Sequence, residues 1–322
     1  MAKRVVVTDH IFPDVEAERQ ILEDAGAAFE LLAASTPAEV IEQAGDPAGI
    51  MTTYTDITDD VFSELPSLEF VSVYGIGVDM VDIEAATEHG VVVFHVPDYC
   101  VEEVANHTVG LILTAERRLY DYCVNVEQGG WDWEVGRPIQ RLSDKTVGIV
   151  GLGRIGSSVA ERIQGFGVEI LSYDPYLSEE HMAEFGVQKV EFDELCERAD
   201  IITVHSPLDD STEHLLDDDA FELMGNSTTL INAARGPIVD EEALARALEQ
   251  DHVNYAALDV LEDEPPEDDH PFRDRDNVIM TPHVAWYSEG ALDELQRETA
   301  KNAARAVRGD ELQNVVNPSV LD

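Results

Sequence analysis

The stretch VGIVGLGRIG, residues 147–156, decides the fold of this chain. An apolar run leads into Gly151, Gly153 and Gly156, which have G-x-G-x-x-G spacing. Between a strand and a helix, the first glycine permits a tight turn, the second lets backbone approach a pyrophosphate, and the third allows close strand–helix packing. The N-terminus of the following helix favours negative charge. The stretch therefore predicts a dinucleotide-binding turn.

An acidic residue stands where such a site needs one. The next apolar run, VEILSY, ends at Asp174, eighteen residues after Gly156. A carboxylate at this point accepts hydrogen bonds from the ribose hydroxyls of adenosine and repels a 2′-phosphate. No arginine or lysine follows in PYLSEEHMAEF, so the sequence predicts NAD rather than NADP. The alternative is an α/β domain in which the glycines merely form a turn.

Alternation of β-rich runs and helical stretches extends outward from this turn and predicts parallel sheets covered by helices. Around the turn the predicted strands are TVGIVG, VEILSY, ADIITV, TTLIN, NYAALDV and NVIMT. An earlier series has predicted strands RVVV, FELLA, GIMTT, FVSV and VVVF, separated by helical stretches at 14–25, 37–44, 58–65 and 82–89.

Three further segments complete the pattern. Residues 101–119 read as one helix that could link two lobes, and residues 290–308 read as a C-terminal helix. The aromatic segment 121–140 reads as irregular. It is expected either to pack on a partner subunit or to fold back on the chain's own surface.

Composition limits the class of protein. A length of 322 residues favours two domains, and no apolar run approaches the ~20 residues of a membrane helix. Three scattered cysteines without a CxxC pair argue against a disulfide framework or a metal site and fit a reducing cytoplasm.

Charge is the unusual feature, because 67 acidic and 20 basic residues give a net charge of -47. Such a chain repels itself unless salt screens the charges. The composition predicts a halophilic cytoplasmic protein, and the absence of a basic patch argues against nucleic-acid binding.

Over its whole length the chain resembles the D-2-hydroxyacid dehydrogenase family. The resemblance rests on VYGIGVDMVDI (73–83), GLGRIG (151–156), VHSPL (204–208), INAARGPIVDEEAL (231–244), ALDVLEDEPP (257–266) and TPHVAW (281–286). It implies an α/β fold of two doubly wound parallel-sheet domains, with a Rossmann NAD-binding domain at 102–289. This domain is inserted into a flavodoxin-like substrate domain formed by 1–101 and 290–322. Substrate is expected in the cleft between them, and a homodimer is implied.

By the same resemblance, Arg235, Glu264 and His283 match the family's catalytic residues. Reduction of a 2-keto acid needs a proton for the carbonyl oxygen, and histidine titrates near neutral pH. A paired carboxylate favours the protonated imidazole. An arginine can bind the substrate carboxylate and polarise the carbonyl in a way that lysine cannot. The family therefore implies hydride transfer between NAD and a D-2-hydroxy acid.

Other binding positions also carry over from the family. The loop YGIG is expected to offer its backbone amides to the substrate carboxylate, which gives the substrate positions Tyr74, Gly75, Ile76 and Gly77. Besides the glycine turn and Asp174, the expected cofactor contacts are Ile76, Val104, Arg154, Ile155, His205, Ser206, Pro207, Thr212, Ala233, Ala234 and Asp259, the last beside the nicotinamide carboxamide.

Trp286 distinguishes branches of the family. TPHVAWYSEGA and YDPYLS look most like the C-terminal-binding-protein branch, with the phosphoglycerate-dehydrogenase-like branch close to it. An indole at the pocket favours an apolar or thioether side chain, although it could equally be a hydrophobic plug. Glycerate or hydroxypyruvate chemistry stays open. The alternative to an enzyme is an NAD-responsive scaffold that binds peptides.

Overall fold

The computed structural model describes residues 2–273 and 275–321. Within them the strands are β1 Arg4–Val7, β2 Ala28–Leu31, β3 Gly49–Thr52, β4 Phe70–Val73, β5 Val92–Phe94, β6 Thr146–Val150, β7 Glu169–Tyr173, β8 Gln188–Lys189, β9 Ile201–Val204, β10 Thr228–Asn232, β11 Val253–Leu258 and β12 Val278–Met280.

The helices lie between and after these strands. They are α1 Glu16–Asp24, α2 Pro37–Ala44, α3 Asp59–Glu64, α4 Ile83–Glu88, α5 Val101–Glu116, α6 Leu119–Glu127, α7 Arg154–Ile163, α8 Glu179–Glu184, α9 Phe192–Arg198, α10 Asp218–Leu223, α11 Glu241–Glu249 and α12 Glu289–Arg308. Short 3-10 turns cover Glu134–Gly136, Leu142–Asp144, Gln164–Phe166, Gly236–Ile238 and Pro318–Leu321.

The chain forms two compact units. The discontinuous unit consists of Met1–Tyr99 and Ser288–Asp322, and the continuous unit is Cys100–Tyr287. In the discontinuous unit, five parallel strands have the order β2-β1-β3-β4-β5. Their buried valines and isoleucines pack with apolar residues of α2, α3 and α4. Helix α12 also packs on this sheet, because its Thr299 carbonyl accepts a hydrogen bond from buried Ser72 of β4 at 3.0 Å.

The continuous unit holds seven parallel strands in the order β12-β11-β10-β9-β6-β7-β8. Successive residues of a strand point to opposite faces, so Ile149 and Val150 belong to different cores. One core is covered by α9, α10 and α11, and the other by α5, α7 and α8. Successive strands are added outward from β6 to β7 and β8 on one side. The chain then returns to β9 on the other side of β6 and continues outward to β12. The prediction of two doubly wound parallel-sheet units is thus confirmed.

Most strands and helices lie where the sequence predicts them, and local chemistry explains their ends. The C-terminal helix α12 begins after Ser288, whose hydroxyl accepts the Ala291 amide at 3.0 Å. It ends at Gly309, whose φ of 70° suits glycine. Strand β8 has only two residues and carries no sequence signal.

The segment around Arg118 differs from the prediction. One helix was expected over 101–119 and irregular chain over 121–140, but α5 ends at Glu116 and α6 covers Leu119–Glu127. Arg118 between them has φ 53°, and its guanidinium carbon lies 4.5 Å from the ring centre of buried Tyr255. A tertiary contact therefore ends the first helix. The irregular assignment is wrong for residues 121–127.

Candidate active site

The glycine turn has the close contacts that its spacing predicts. Gly151 has φ 88°, and a Cβ there would lie 2.9 Å from the amide nitrogen of Ser206. At Gly156 a Cβ would lie 2.2 Å from the Gly151 carbonyl oxygen, so only glycine allows this packing. Gly153, by contrast, faces open space and precedes α7. The turn leaves room for a ligand at the helix N-terminus.

Asp174 follows β7 and links two loops. Its Oδ2 accepts the Leu152 amide at 3.0 Å, and its Oδ1 accepts the Tyr176 amide at 2.9 Å. Each carboxylate oxygen can accept a second hydrogen bond. The carboxylate thus orders the glycine turn and still has acceptor capacity for two hydroxyls.

The other predicted cofactor positions in the continuous unit lie on several elements. Arg154 and Ile155 begin α7, and Val104 is buried on α5. The loops after β9 and β10 carry His205, Ser206, Pro207, Thr212, Ala233 and Ala234. Within them, the Thr212 hydroxyl donates to the Pro207 carbonyl at 2.7 Å and accepts the Asp209 amide, which gives it a structural role.

His205 lies beside the glycine turn. Burial lowers its pKa to about 3, so the imidazole is neutral at physiological pH. Its Nε2 lies 2.9 Å from the Thr203 hydroxyl oxygen. A neutral ring here adds no positive charge to the site.

Glu264 and His283 form the central contact of the site. His283 Nδ1 lies 2.7 Å from Glu264 Oε2, and Glu264 Oε1 accepts the Leu261 amide at 2.9 Å. Partial burial raises the pKa of Glu264, but the bonds from His283 and Leu261 and the charges of His283 and Arg235 outweigh burial and leave that pKa below its usual value. Glu264 is therefore ionised at neutral pH.

Arg235 lies on the loop after β10, and its charge lowers the pKa of Glu264. Buried Asn232 shapes the loop, because its side chain accepts the Ala234 amide at 3.0 Å and donates to the Arg235 carbonyl at 2.8 Å. Gly236 then packs on the next loop, where a Cβ would lie 1.9 Å from the carbonyl carbon and oxygen of Leu261. This glycine keeps the Arg235 and Glu264 loops in contact. Asn232 and Gly236 both lie in a quoted motif, but neither was predicted as a site residue.

Asp259 anchors the loop that carries His283. Its backbone carbonyl accepts the His283 amide at 2.8 Å, and its carboxylate accepts the amides of Val284 at 3.0 Å and Ala285 at 2.8 Å. The carboxylate also accepts the Thr281 hydroxyl. Since Asp259 is 1% exposed, its main visible role is to fix residues 281–285.

Trp286 holds the same loop from its other end. Its indole Nε1 donates to the His283 carbonyl at 2.9 Å, and its ring makes an edge contact with Tyr287 at 5.6 Å between centres. The indole is partly buried. Trp286 therefore has a backbone-positioning contact that the sequence did not predict.

In the discontinuous unit, the loop YGIG follows β4. The carbonyl of Gly75 accepts the Val96 amide at 2.8 Å, and the carbonyl of Ile76 lies 2.8 Å from His95 Nδ1. Among residues 2–273 and 275–321, no acceptor takes the amides of Gly75, Ile76 and Gly77. Three consecutive amides are thus available for an anion.

Tyr74 precedes these amides but points into its own unit. Its side chain is 4% exposed and its hydroxyl donates to Glu18 Oε1 at 3.1 Å. Burial, followed by the charge of Glu18, raises the pKa of Tyr74 well above its usual value. The phenol therefore stays protonated and supports the loop from below.

Membrane-spanning helices and groups of metal ligands are both absent from the described part of the chain. Across residues 2–273 and 275–321, no helix has the length and apolar character needed to cross a bilayer. The same residues hold no group of three or more His, Cys, Asp or Glu side chains suited to a metal ion.

The chain is similar to known proteins over most of its length. Residues 109–285 match the model described as D-isomer specific 2-hydroxyacid dehydrogenase, NAD binding domain. The D-3-phosphoglycerate dehydrogenase of Methanocaldococcus jannaschii is 38% identical over 316 residues, covering 98% of this chain and 59% of that protein. The glyoxylate reductase of Thermofilum pendens is 37% identical over 292 residues, covering 88% of this chain and 85% of the relative.

A solved structure is similar across both units. The D-lactate dehydrogenase from Aquifex aeolicus, crystallised with NAD and lactic acid, has a TM-score of 0.89 and 30% identity, over 97% of this chain and 99% of that one. The chain spans 59% of the length of the M. jannaschii phosphoglycerate dehydrogenase. The prediction of NAD as the cofactor is confirmed by the matched NAD-binding domain and by the NAD-bound Aquifex structure.

Proposed function

Because the chain belongs to the D-isomer-specific 2-hydroxyacid dehydrogenase family, we propose that it uses NAD to interconvert a 2-keto acid and a D-2-hydroxy acid. The observation that carries the proposal is the 2.7 Å contact between Glu264 and His283. The charge of Arg235 acts on this same pair. These are the groups that an acid–base step on a carboxylate substrate needs.

The proposed chemistry divides among a few groups. Bound NADH supplies the hydride for the carbonyl carbon. His283 donates its Nε2 proton to the carbonyl oxygen, because its Nδ1 is engaged by Glu264. In the reverse direction, Nε2 takes the proton from the hydroxyl. Glu264 holds the ring through this contact.

Substrate binding is assigned to two further groups. Arg235 pairs with the substrate carboxylate and polarises the carbonyl. In the discontinuous unit, the amides of Gly75 to Gly77 are suited to a carboxylate. For the cofactor, we propose the glycine turn for the pyrophosphate and Asp174 for the adenosine ribose.

For the substrate side chain, we propose an apolar or thioether group, with Trp286 as the discriminating residue. The loops at the carboxyl ends of β1, β3 and β4, residues 8–12, 53–58 and 74–82, contain no lysine or arginine. A phosphate group prefers such cations. This argues against phosphoglycerate despite the name of the M. jannaschii relative, and it leaves hydroxypyruvate and glyoxylate as competitors.

We also propose a cytoplasmic homodimer that needs high salt. Support for the dimer comes from the aromatic arm, defined as residues 119–136, where Tyr120, Trp131 and Trp133 are 55%, 92% and 68% exposed. Exposed aromatic clusters of this kind mark interfaces. Support for the salt requirement is the net charge of -47.

The test is the initial rate of NADH oxidation in molar KCl, with glyoxylate, hydroxypyruvate, phenylpyruvate and a thioether 2-keto acid. We expect turnover that falls at least a hundredfold in His283→Ala. The matched control His181→Ala, at an exposed histidine of α8, should keep wild-type rates. Saturable NADH binding without turnover of any keto acid would contradict the enzyme and favour a peptide-binding scaffold.

A further inference from the structure

The loop that carries His283 has a second connection, through the Thr281 hydroxyl. This hydroxyl donates its proton to Asp259 Oδ1, and its oxygen lies 3.2 Å from His107 Nε2. Since the hydroxyl proton is used, the oxygen accepts from an Nε2–H of His107. The geometry defines a chain of hydrogen bonds from His107 through Thr281 to Asp259.

His107 also lies close to the anchor itself. Its Nε2 is 3.6 Å from Asp259 Oδ1, and the Asp259 side chain is 1% exposed, whereas the His107 side chain is 25% exposed. A buried carboxylate needs partners for each oxygen. The polarised Nε2–H of His107 therefore helps to keep Asp259 in the orientation that binds the amides of residues 284 and 285.

The base of this chain is rigid. His107 lies on α5, whose buried residues Ala105, Leu111 and Ile112 pack in the core beneath β6, β10 and β11. The loop that carries His283 has an unfavourable backbone conformation. His283 has φ 49°, which few non-glycine residues adopt. Such a backbone persists only when its surroundings fix it.

We propose that His107 is a positioning residue for His283, which acts through the Thr281 hydroxyl and the Asp259 carboxylate. The proposal rests on the proposed dehydrogenase function of the same site. His107 does not touch the reacting atoms. It keeps the imidazole of His283 in the orientation needed for proton transfer.

The variants are His107→Ala, His107→Gln and Thr281→Val, each in the full-length protein in molar KCl. In His107→Ala we expect kcat to fall roughly ten- to hundredfold, because a small misplacement of a catalytic group has effects of that order. The KM for the keto acid should change little, since Arg235 and the Gly75–Gly77 amides are untouched. His107→Gln can donate from a similar position and should restore most of kcat. Thr281→Val, which cannot relay the bond, should behave like His107→Ala.

Hydrogen–deuterium exchange of a peptide spanning 281–287 gives a readout that does not need turnover. We expect faster exchange in His107→Ala and Thr281→Val, near wild-type exchange in His107→Gln, and no change in the control His181→Ala. Unchanged kcat and exchange in His107→Ala would overturn the proposal. An equal loss in His107→Ala and His107→Gln with a lowered Tm would also overturn it, because the role would then be general packing.

The two hypotheses fail separately. If the wild-type protein turns over no keto acid, the dehydrogenase proposal is wrong, and the exchange data alone decide whether His107 orders the loop. If the wild-type protein is active and the exchange of 281–287 is insensitive to His107, the dehydrogenase stands and the positioning role is wrong.

Discussion

His283 is fixed in direction before any substrate arrives. A left-handed backbone at a non-glycine residue costs about 1 kcal/mol, and φ 49° at His283 lies in that region. Asp259 compensates by taking the His283 amide on its carbonyl and two further loop amides on its carboxylate. The hydrogen bonds of Asp259 therefore hold this loop in one conformation.

Substitution Glu264→Gln should separate the charge of this side chain from its position. Glutamine can keep a contact with His283 but removes the negative charge beside the ring. We expect kcat for keto-acid reduction to fall roughly a hundredfold at each pH measured. The measurement is kcat against pH from 5 to 9.

Glu264 itself does not titrate in that range. Its pKa is lowered in the folded protein, so the carboxylate is lost only as pH falls below the ordinary glutamate value. Titration of Glu264 therefore cannot change the rate between pH 5 and pH 9. Glu267→Gln, at an exposed acid of the same loop, is the control and should leave kcat unchanged. A wild-type kcat in Glu264→Gln would exclude the pairing role.

Substitution Gly236→Ala should displace Arg235, although it changes no atom of the arginine itself. The new Cβ would lie 1.9 Å from the Leu261 carbonyl atoms, which are backbone and cannot rotate away. We expect a loss of stability of about 1–3 kcal/mol, typical of overpacking, and a rise in the keto-acid KM as Arg235 shifts. Urea unfolding and steady-state kinetics measure the two effects.

Gly165→Ala is the matched control, because no atom lies within 4 Å of its Cβ position. It should change neither quantity. If Gly236→Ala kept wild-type stability and KM, the two loops would not be locked by this contact.

The roles expected for Arg235, Glu264 and His283 came from the resemblance of their motifs to the family, and each of these motifs follows a recognisable strand. It could not predict His107, whose partner Thr281 lies 174 residues away, since such a contact exists only after the sheet has formed. Asn232 and Gly236 are intermediate cases. They lie inside a quoted motif, but their roles depend on what the neighbouring loop brings against them.

At the scale of elements, strands were predicted well and one helix junction was not. Continuous apolar runs bounded by polar residues identify buried parallel strands, so β1 and β4 were predicted with the bounds that they have. The break at Arg118 follows from a contact with Tyr255 on a strand more than a hundred residues later. The sequence around Arg118 has no glycine or proline that would predict the end of a helix there.

The aromatic arm yields a prediction about assembly. Trp131 and Trp133 are 92% and 68% exposed, which is costly for indoles unless a second copy covers them. We expect the double substitution Trp131→Ser and Trp133→Ser to shift a dimer towards monomer. Sedimentation velocity in molar KCl measures the change.

Tyr176→Ser is the comparison, since Tyr176 is 85% exposed but lies after β7, outside the arm. It should leave the sedimentation coefficient unchanged. A wild-type protein that sediments as a monomer at every concentration, or a double variant that stays dimeric, would contradict a dimer built on the arm.

For the whole molecule, the net charge of -47 leads us to predict a fold whose stability depends on salt. Screening lengths shrink from about 10 Å at 0.1 M salt to about 3 Å at 1 M. We expect the Tm to rise substantially between 0.1 and 2 M KCl as repulsion between acidic side chains is screened. Thermal unfolding followed by circular dichroism measures it.

Sucrose separates screening from general stabilisation, because it promotes burial without screening charge. In 0.1 M KCl, sucrose should recover only part of the stability that 2 M KCl provides. A Tm independent of KCl would contradict the salt requirement. Composition alone suggested this property, and no single contact in the fold could have revealed it.

The indole of Trp286, which donates a hydrogen bond to the His283 carbonyl, also provides an intrinsic fluorescent probe of the candidate site. The other two tryptophans, Trp131 and Trp133, are exposed on the arm, and replacing both leaves Trp286 as the single tryptophan, on the loop that carries His283. Its emission spectrum would report changes in that loop without any label. The reduced nicotinamide of NADH absorbs where indole emits, so energy transfer to NADH would report how close the ring of the reduced cofactor comes to Trp286.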